Sequence, residues 1–294
     1  MLSILYYIWL AAICTVVLVL SVAVLALTYP FQKSRRIVHE MSRYLALSFL
    51  LPFPRRVEGL ENVDRRERYV IVLNHQAMVD IGALYHVPLN FRWVSKREVF
   101  RIPFFGQFLL VHGDICIDRG RAAEALEQLL RDGGLWLSRG ASVAIFPEGT
   151  RSKDGQIHRF KAGAFTLAKE AGVPILPVVL DGTQRVIGRN RLFNWRNRIT
   201  VKVLPPVPAA EVAATETHVL MDGVRERMAA ALAEVRGQAR PNRNQQFIDK
   251  EFPVSPAVRR RKREPPDSAR RNYVRFTQYP RLLRRRRDRN PHSA

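Results

Sequence analysis

The stretch Tyr69-Val70-Ile71-Val72-Leu73-Asn74-His75-Gln76-Ala77-Met78-Val79-Asp80 decides how the rest of the chain is read. Its first five residues are apolar or aromatic without alternation, the pattern of a short strand covered on both faces. A polar group, Asn74 and His75, follows at once, so these side chains emerge at a strand end. Similar short β-branched runs recur at 92–94, 115–117, 143–146, 175–180 and 199–204. Helical patterns lie between several of them, at 122–137, 163–171 and 218–235. Strands alternating with helices imply an α/β domain, a largely parallel sheet flanked by helices, over residues 57–237. In such sheets ligands gather at the carboxyl ends of the strands.

Outward from this domain the composition changes twice. Residues 1–32 contain no charged side chain and are dominated by Leu, Ile, Val and Ala. About 20 apolar residues span a bilayer, so the segment is long enough for a retained membrane anchor helix, crossing or lying deep in one leaflet. The competing reading is a helix buried in the core. Lys33, Arg35, Arg36 and Arg43 follow, and the positive-inside rule puts the catalytic domain on the cytoplasmic face, in a bacterial cell that of the inner membrane. Residues 33–56 read as a basic amphipathic interfacial segment, with Ile37, Met41, Tyr44, Leu45 and Ser48 near helical spacing. An ordinary surface helix packed on the domain fits that spacing equally.

At the other end, residues 238–294 are rich in Arg, Pro, Asn and Gln without periodicity, so a basic disordered tail is expected. The net charge is +22, and about half of that excess follows Gly237. On an anchored protein such a tail suits an anionic membrane surface. Nucleic acid is disfavoured as a partner, because the body carries no zinc-finger spacing or RNA-recognition signature. Two cysteines, Cys14 and Cys116, exclude a disulfide scaffold, and no cluster of metal ligands is evident.

The chemistry is carried by two strand-end motifs. His75 and Asp80 have four residues between them. Across a strand-to-helix turn, that spacing brings the carboxylate to one imidazole nitrogen and leaves the other to accept a proton from a hydroxyl. This is the histidine–aspartate half of a serine triad, suited to a reaction whose substrate alcohol is the nucleophile. Alone it is a weak signal, since a histidine beside a strand is more often a packing residue. The second motif, Phe146-Pro147-Glu148-Gly149-Thr150-Arg151-Ser152, closes the strand at 143–146. Arg151 has the fork geometry that grips phosphate, and Gly149 permits close backbone approach. Read without the first motif, the string is a glycine turn with a surface ion pair.

Taken together, the two strings resemble the first and third motifs of the glycerophospholipid acyltransferase family. Ile117-Asp118-Arg119-Gly120 resembles the second motif and Val173-Pro174-Ile175-Leu176-Pro177-Val178 the fourth, in the same order and spacing. Ser95-Lys96-Arg97-Glu98, Pro103-Phe104-Phe105-Gly106 and Phe160-Lys161-Ala162-Gly163-Ala164 also match stretches common in that family. The resemblance covers residues 57–205 and leaves the tail unexplained. Ala77 stands where the family often has Ser.

The resemblance implies the fold of the glycerolipid acyltransferases and transfer of an acyl group to the sn-2 hydroxyl of lysophosphatidate. The donor is acyl-CoA or acyl carrier protein, and no cofactor or metal is implied. It makes His75 the general base and Asp80 its orienting partner. Arg119, Arg151 and Lys161 would hold the acceptor phosphate; Glu148, Gly149 and Thr150 would shape the glycerol-phosphate site; Lys96 is a further anion-binding candidate. The 173–178 stretch would support the acyl pocket. Oxyanion donors are expected among the backbone N–H groups of 74–77 or 148–151. Another lysophospholipid, a lyso-aminolipid or glycerol 3-phosphate is the alternative acceptor. A lipid serine hydrolase is disfavoured by the lack of a Gly-x-Ser-x-Gly elbow. A non-catalytic binder of anionic lipid or nucleic acid would explain the tail but not four strand-end motifs.

Overall fold

The computed structural model describes residues 2–238 apart from 119, 189 and 191. The expected tail therefore lies, except for its first residue, outside the described residues. The chain runs α1 (Leu2–Thr28), α2 (Arg36–Leu50), β1 (Arg55–Glu58), β2 (Val70–Leu73), α3 (Val79–Leu84), β3 (Phe91–Lys96), α4 (Phe105–His112), β4 (Ile115–Ile117), α5 (Ala122–Ser138), β5 (Ser142–Ile145), α6 (Gly163–Ala171), β6 (Ile175–Asp181), β7 (Ile199–Val203), α7 (Ala209–Ala214) and α8 (Thr217–Gln238).

The seven strands form one sheet in the order β1-β7-β6-β2-β5-β3-β4. From β6 to β4 every pairing is parallel, β7 is antiparallel to β6, and β1 pairs parallel with β7. The fold is thus the expected mostly parallel α/β arrangement with a reversed edge. Alternate strand residues feed opposite cores, as a period of two demands. Val70, Val72, Val143, Ile145 and Ile175 face the layer of α5, α6 and α8. Ile71, Leu73, Ala144, Leu176 and Val178 face the aromatic-rich layer that includes α2 and α3. That double coverage is why these strands read as unbroken apolar runs. β1 begins at Arg55, two residues ahead of the expected domain start at 57, and aligns Arg55 with Ile199.

α1 is turned inside out relative to a soluble helix. Its buried residues are Ser3 and Ser21, whereas Leu2, Ile4, Leu5, Ile8, Val16, Val19, Leu20 and Leu27 are exposed. This corrects the core-helix reading, and α1 is a helix long and apolar enough to cross a membrane. It packs along α2, where the Tyr6 hydroxyl donates to the Phe49 carbonyl and Tyr6 stacks on Phe49. α2 serves both readings of its spacing. Val38, His39, Ser42 and Leu50 dock into the protein, while Ile37 and Tyr44 stay exposed.

Candidate active site

β2 and β5 are adjacent and parallel, so the two motifs that follow them open on the same edge of the sheet. Backbone and side chains then knit them together. The Ser152 N–H donates to the His75 carbonyl at 2.8 Å. In return, the His75 N–H donates to Glu148 Oε1 at 3.0 Å, and the His158 N–H donates to Glu148 Oε2 at 3.1 Å. Both Glu148 oxygens are therefore occupied by backbone donors. Burial pushes the Glu148 carboxyl above its ordinary range, and those two N–H groups pull against the shift. Asn74 ties the other side: Nδ2 donates to the Leu180 carbonyl and Oδ1 accepts the Leu180 N–H, each at 2.8 Å.

His75 Nδ1 lies 2.8 Å from Asp80 Oδ2. The same oxygen accepts the Gln76 N–H at 2.5 Å and the Ala77 N–H at 2.8 Å. Asp80 stands in the first turn of α3, so the helix start brings its carboxylate back over the turn that leaves β2. Its other oxygen, Oδ1, is buried with no protein partner among the described residues. A carboxylate accepts from Nδ1, so the neutral imidazole carries its proton there and Nε2 is unprotonated. The Asp80 side chain is 0% exposed and that of His75 16%. Phe146 stacks on the imidazole with centroids 3.9 Å apart, and Trp93 stacks behind Phe146 at 5.1 Å. The ring is thus clamped by a carboxylate at one edge and an aromatic plane on one face. The arrangement can accept a proton at a fixed point near the sheet's carboxyl edge.

Around this pair, Gly149 adopts φ +76°, where a Cβ would stand 3.0 Å from Lys161 Cε and Nζ. Lys161 is held by its N–H to the Pro147 carbonyl at 2.9 Å. Thr150, Arg151 and Lys161 are exposed, and neither cation has a carboxylate partner among the described residues. By contrast Arg185 and Arg236 share one carboxylate, Asp181, at 3.1 and 3.0 Å. Lys96 is not drawn into the cluster: its ammonium meets Glu98 at 2.9 Å. Asp118 pairs with Arg97 at 3.0 Å and accepts the Gly120 N–H at 2.9 Å. Arg119 lies outside the described residues. The 173–178 stretch enters β6, a fully buried strand inside the sheet.

The oxyanion expectation is narrowed. The N–H groups of His75, Gln76 and Ala77 are all committed to carboxylates, and that of Gly149 donates to the Phe146 carbonyl at 3.0 Å. Beyond Gly149 in that loop, the Thr150 and Arg151 N–H groups have no protein acceptor among the described residues. Sequence reasoning missed the supporting roles of Asn74, Phe146, Trp93, Ser152 and His158. Asn74, Phe146 and Ser152 stand within the motif strings, but nothing in a string says which side chain stacks or ties strands.

Fold and site together define a class: an α/β protein with a half-open histidine–carboxylate pair at the carboxyl edge of a mostly parallel sheet. The family model described as Acyltransferase matches residues 54–181. The chloroplastic 1-acyl-sn-glycerol-3-phosphate acyltransferase LPAT1 of Arabidopsis thaliana is 34% identical over 202 residues, 67% of this chain and 55% of that protein. The alpha 1-acyl-sn-glycerol-3-phosphate acyltransferase of Ovis aries is 31% identical over 76% of this chain and 79% of its own length. The chain thus spans about half the length of the chloroplast relative. The crystal structure of the 1-acyl-sn-glycerophosphate acyltransferase PlsC from Thermotoga maritima shares the fold, with TM-score 0.63, 24% identity, and coverage of 82% of this chain and 98% of that one. The chain belongs to the glycerophospholipid acyltransferase family.

Proposed function

We propose that the protein transfers an acyl group from a thioester, acyl-CoA or acyl carrier protein, to the sn-2 hydroxyl of lysophosphatidate, giving phosphatidate. The observation that carries this reading is the 2.8 Å contact between His75 Nδ1 and Asp80 Oδ2 beside a loop bearing two cations with no carboxylate partner among the described residues. His75 Nε2 takes the hydroxyl proton as the alkoxide oxygen attacks the thioester carbonyl. The C–S bond then breaks, and the thiolate leaves and collects the proton. Asp80 holds the ring in the required tautomer and offsets the charge of the imidazolium. The Thr150 and Arg151 N–H groups, on the loop that carries Arg151, are donors for the tetrahedral oxyanion. Arg151 and Lys161, with Arg119, hold the acceptor's phosphate; Glu148 maintains the loop that presents them. The step is complete with two organic substrates.

The exposed apolar flank of α1 supports reading it as a membrane anchor, and the basic residues that follow it favour the cytoplasmic face for the domain. At 1.5 Å per residue the helix reaches across or deep into a bilayer. There the acceptor's chain stays in lipid, avoiding about 0.8 kcal/mol per methylene moved into water. Purified full-length protein in detergent micelles, given lysophosphatidate and each thioester in turn, is expected to form phosphatidate detectable by mass spectrometry. Product from glycerol 3-phosphate or a lyso-aminolipid, with none from lysophosphatidate, would overturn the acceptor assignment.

A further inference from the structure

A groove of about 340 Å³ opens on the opposite, amino edge of the sheet, and the catalytic reading does not use it. Asn90 precedes β3, Ser142 begins β5 and Arg68 lies just before β2, so the groove sits under the strand starts. Five guanidinium-bearing residues line it, Arg36, Arg65, Arg66, Arg68 and Arg139, against a single carboxylate, Glu67. None of the five forms an ion pair among the described residues. Glu67 Oε1 is engaged by the Arg68 N–H at 3.0 Å.

The walls are preformed. The Ser34 carbonyl accepts Arg92 Nη2 at 2.5 Å and Asn90 Nδ2 at 3.3 Å, which fixes the turn between α1 and α2. The Arg66 N–H donates to Asp64 Oδ1 at 2.8 Å, and the Tyr69 N–H donates to Ser142 Oγ at 3.0 Å. Arg139 lies over the Trp136 ring, 5.4 Å from its centroid. Holding five cations from three separate segments around one cavity is repulsive unless an anion enters, and guanidinium forks match phosphate oxygens.

We propose that this groove binds the phosphate of an anionic membrane-lipid headgroup, at a site separate from the catalytic one. Its position selects the lipid source. α1 ends at Thr28 and α2 begins at Arg36, so the groove opens beside the turn where the apolar helix leaves the bilayer. Basic side chains next to such an exit sit at headgroup level and are attracted to anionic lipid. The inference rests on the membrane reading of α1 and is independent of the acyl-transfer chemistry.

The test uses the full chain carrying Arg65→Ala, Arg66→Ala and Arg68→Ala together, three exposed positions on one turn. Sedimentation with phosphatidylcholine vesicles is compared with vesicles that also contain phosphatidylglycerol, at matched ionic strength. Each arginine near an anionic surface is worth about fivefold, so losing three should lower affinity for the anionic vesicles by about a hundredfold. Binding to pure phosphatidylcholine and turnover in detergent micelles should hold. A charge-matched variant on α5, α6 and α8, with Arg131→Ala, Lys169→Ala and Arg225→Ala, should lose less than about twofold. Equal losses in both variants would mean bulk charge and overturn the site. Competition by inorganic phosphate would assign the groove to a free anion and overturn the lipid source. Intact vesicle binding with lost turnover on acyl carrier protein would assign it to an acidic protein. Wild-type protein that sediments with neither vesicle would overturn the membrane reading and the groove assignment with it, but not the acyl transfer, because micellar turnover reports separately on the chemistry.

Discussion

Two histidine–aspartate pairs occupy opposite edges of one sheet, at almost the same contact distance. His75 Nδ1 meets Asp80 Oδ2 at 2.8 Å after β2, and His112 Nδ1 meets Asp114 Oδ1 at 2.7 Å just before β4. Their surroundings differ. The His75 side chain is 16% exposed, and its Nε2 has no protein partner among the described residues. His112 and Asp114 are 1% and 2% exposed, and His112 Nε2 is taken by His39 Nδ1 at 3.0 Å. Asp114 also accepts the Trp93 N–H at 2.8 Å. A proton-accepting nitrogen that faces a cleft can do chemistry; the same nitrogen spent on a second imidazole joins α2 to α4. Contact distance alone therefore does not make a catalytic pair. Access does.

The sharpest way to break this contrast is substitution on both sides. His75→Ala should lower acyl transfer by about 10²–10⁴-fold in protein that stays folded by circular dichroism, since general-base assistance is worth that much. A variant with near-normal turnover would end the assignment. Asp114→Ala should do the reverse. Removing a buried carboxylate leaves His112 and the Trp93 N–H unsatisfied, at about 3 kcal/mol in denaturant unfolding, while turnover per folded molecule is retained. Loss of turnover without loss of stability would move Asp114 into the active site.

Acid should separate the pairs next. Burial, reinforced by neighbouring Arg92, lowers the pKa of both His39 and His112, with Asp114 opposing the shift at His112 and Arg43 adding to it at His39. Tyr85, packed against both rings, has its own pKa raised by burial and stays neutral. Histidines held below their unfolded value contribute stability that is full above the ordinary 6.5 and lost as pH falls toward the folded values. Unfolding free energy should therefore drop below that pH, and His39→Phe should make the slope shallower. An unchanged slope would remove the network from the account. The smallest effect is expected from Gly149→Ala. At φ +76° an L side chain costs about 1 kcal/mol, and its Cβ would press on the flexible end of Lys161. Stability should fall by that amount, and affinity for the phosphate-bearing acceptor should weaken modestly in steady-state kinetics.

Much of the carboxyl edge is legible in the amino-acid sequence, because each motif directly follows an apolar run that only a doubly covered strand explains. Six strands are placed in this way. β1 is not, since Arg55-Arg56-Val57-Glu58 is an edge strand whose exposed residues erase the apolar signal. α4 escapes for a different reason: it is eight residues long and preceded by Pro103, so its periodicity is cut short. The two faces of α2 cannot be ranked from spacing, because the docked and exposed stripes both carry apolar residues.

What the sequence determined by itself was local: runs that must be strands, the charge-free helix, and polar groups at strand ends, all consequences of period and composition. The tertiary structure decided which distant residues meet. It set Glu148 against two backbone N–H groups, buried one histidine–aspartate pair while leaving the other open, and gathered arginines from 36, 65–68 and 139 around one groove. Those outcomes depend on sheet order and on how helices close over the strand ends, and no stretch of chain encodes either within its own length.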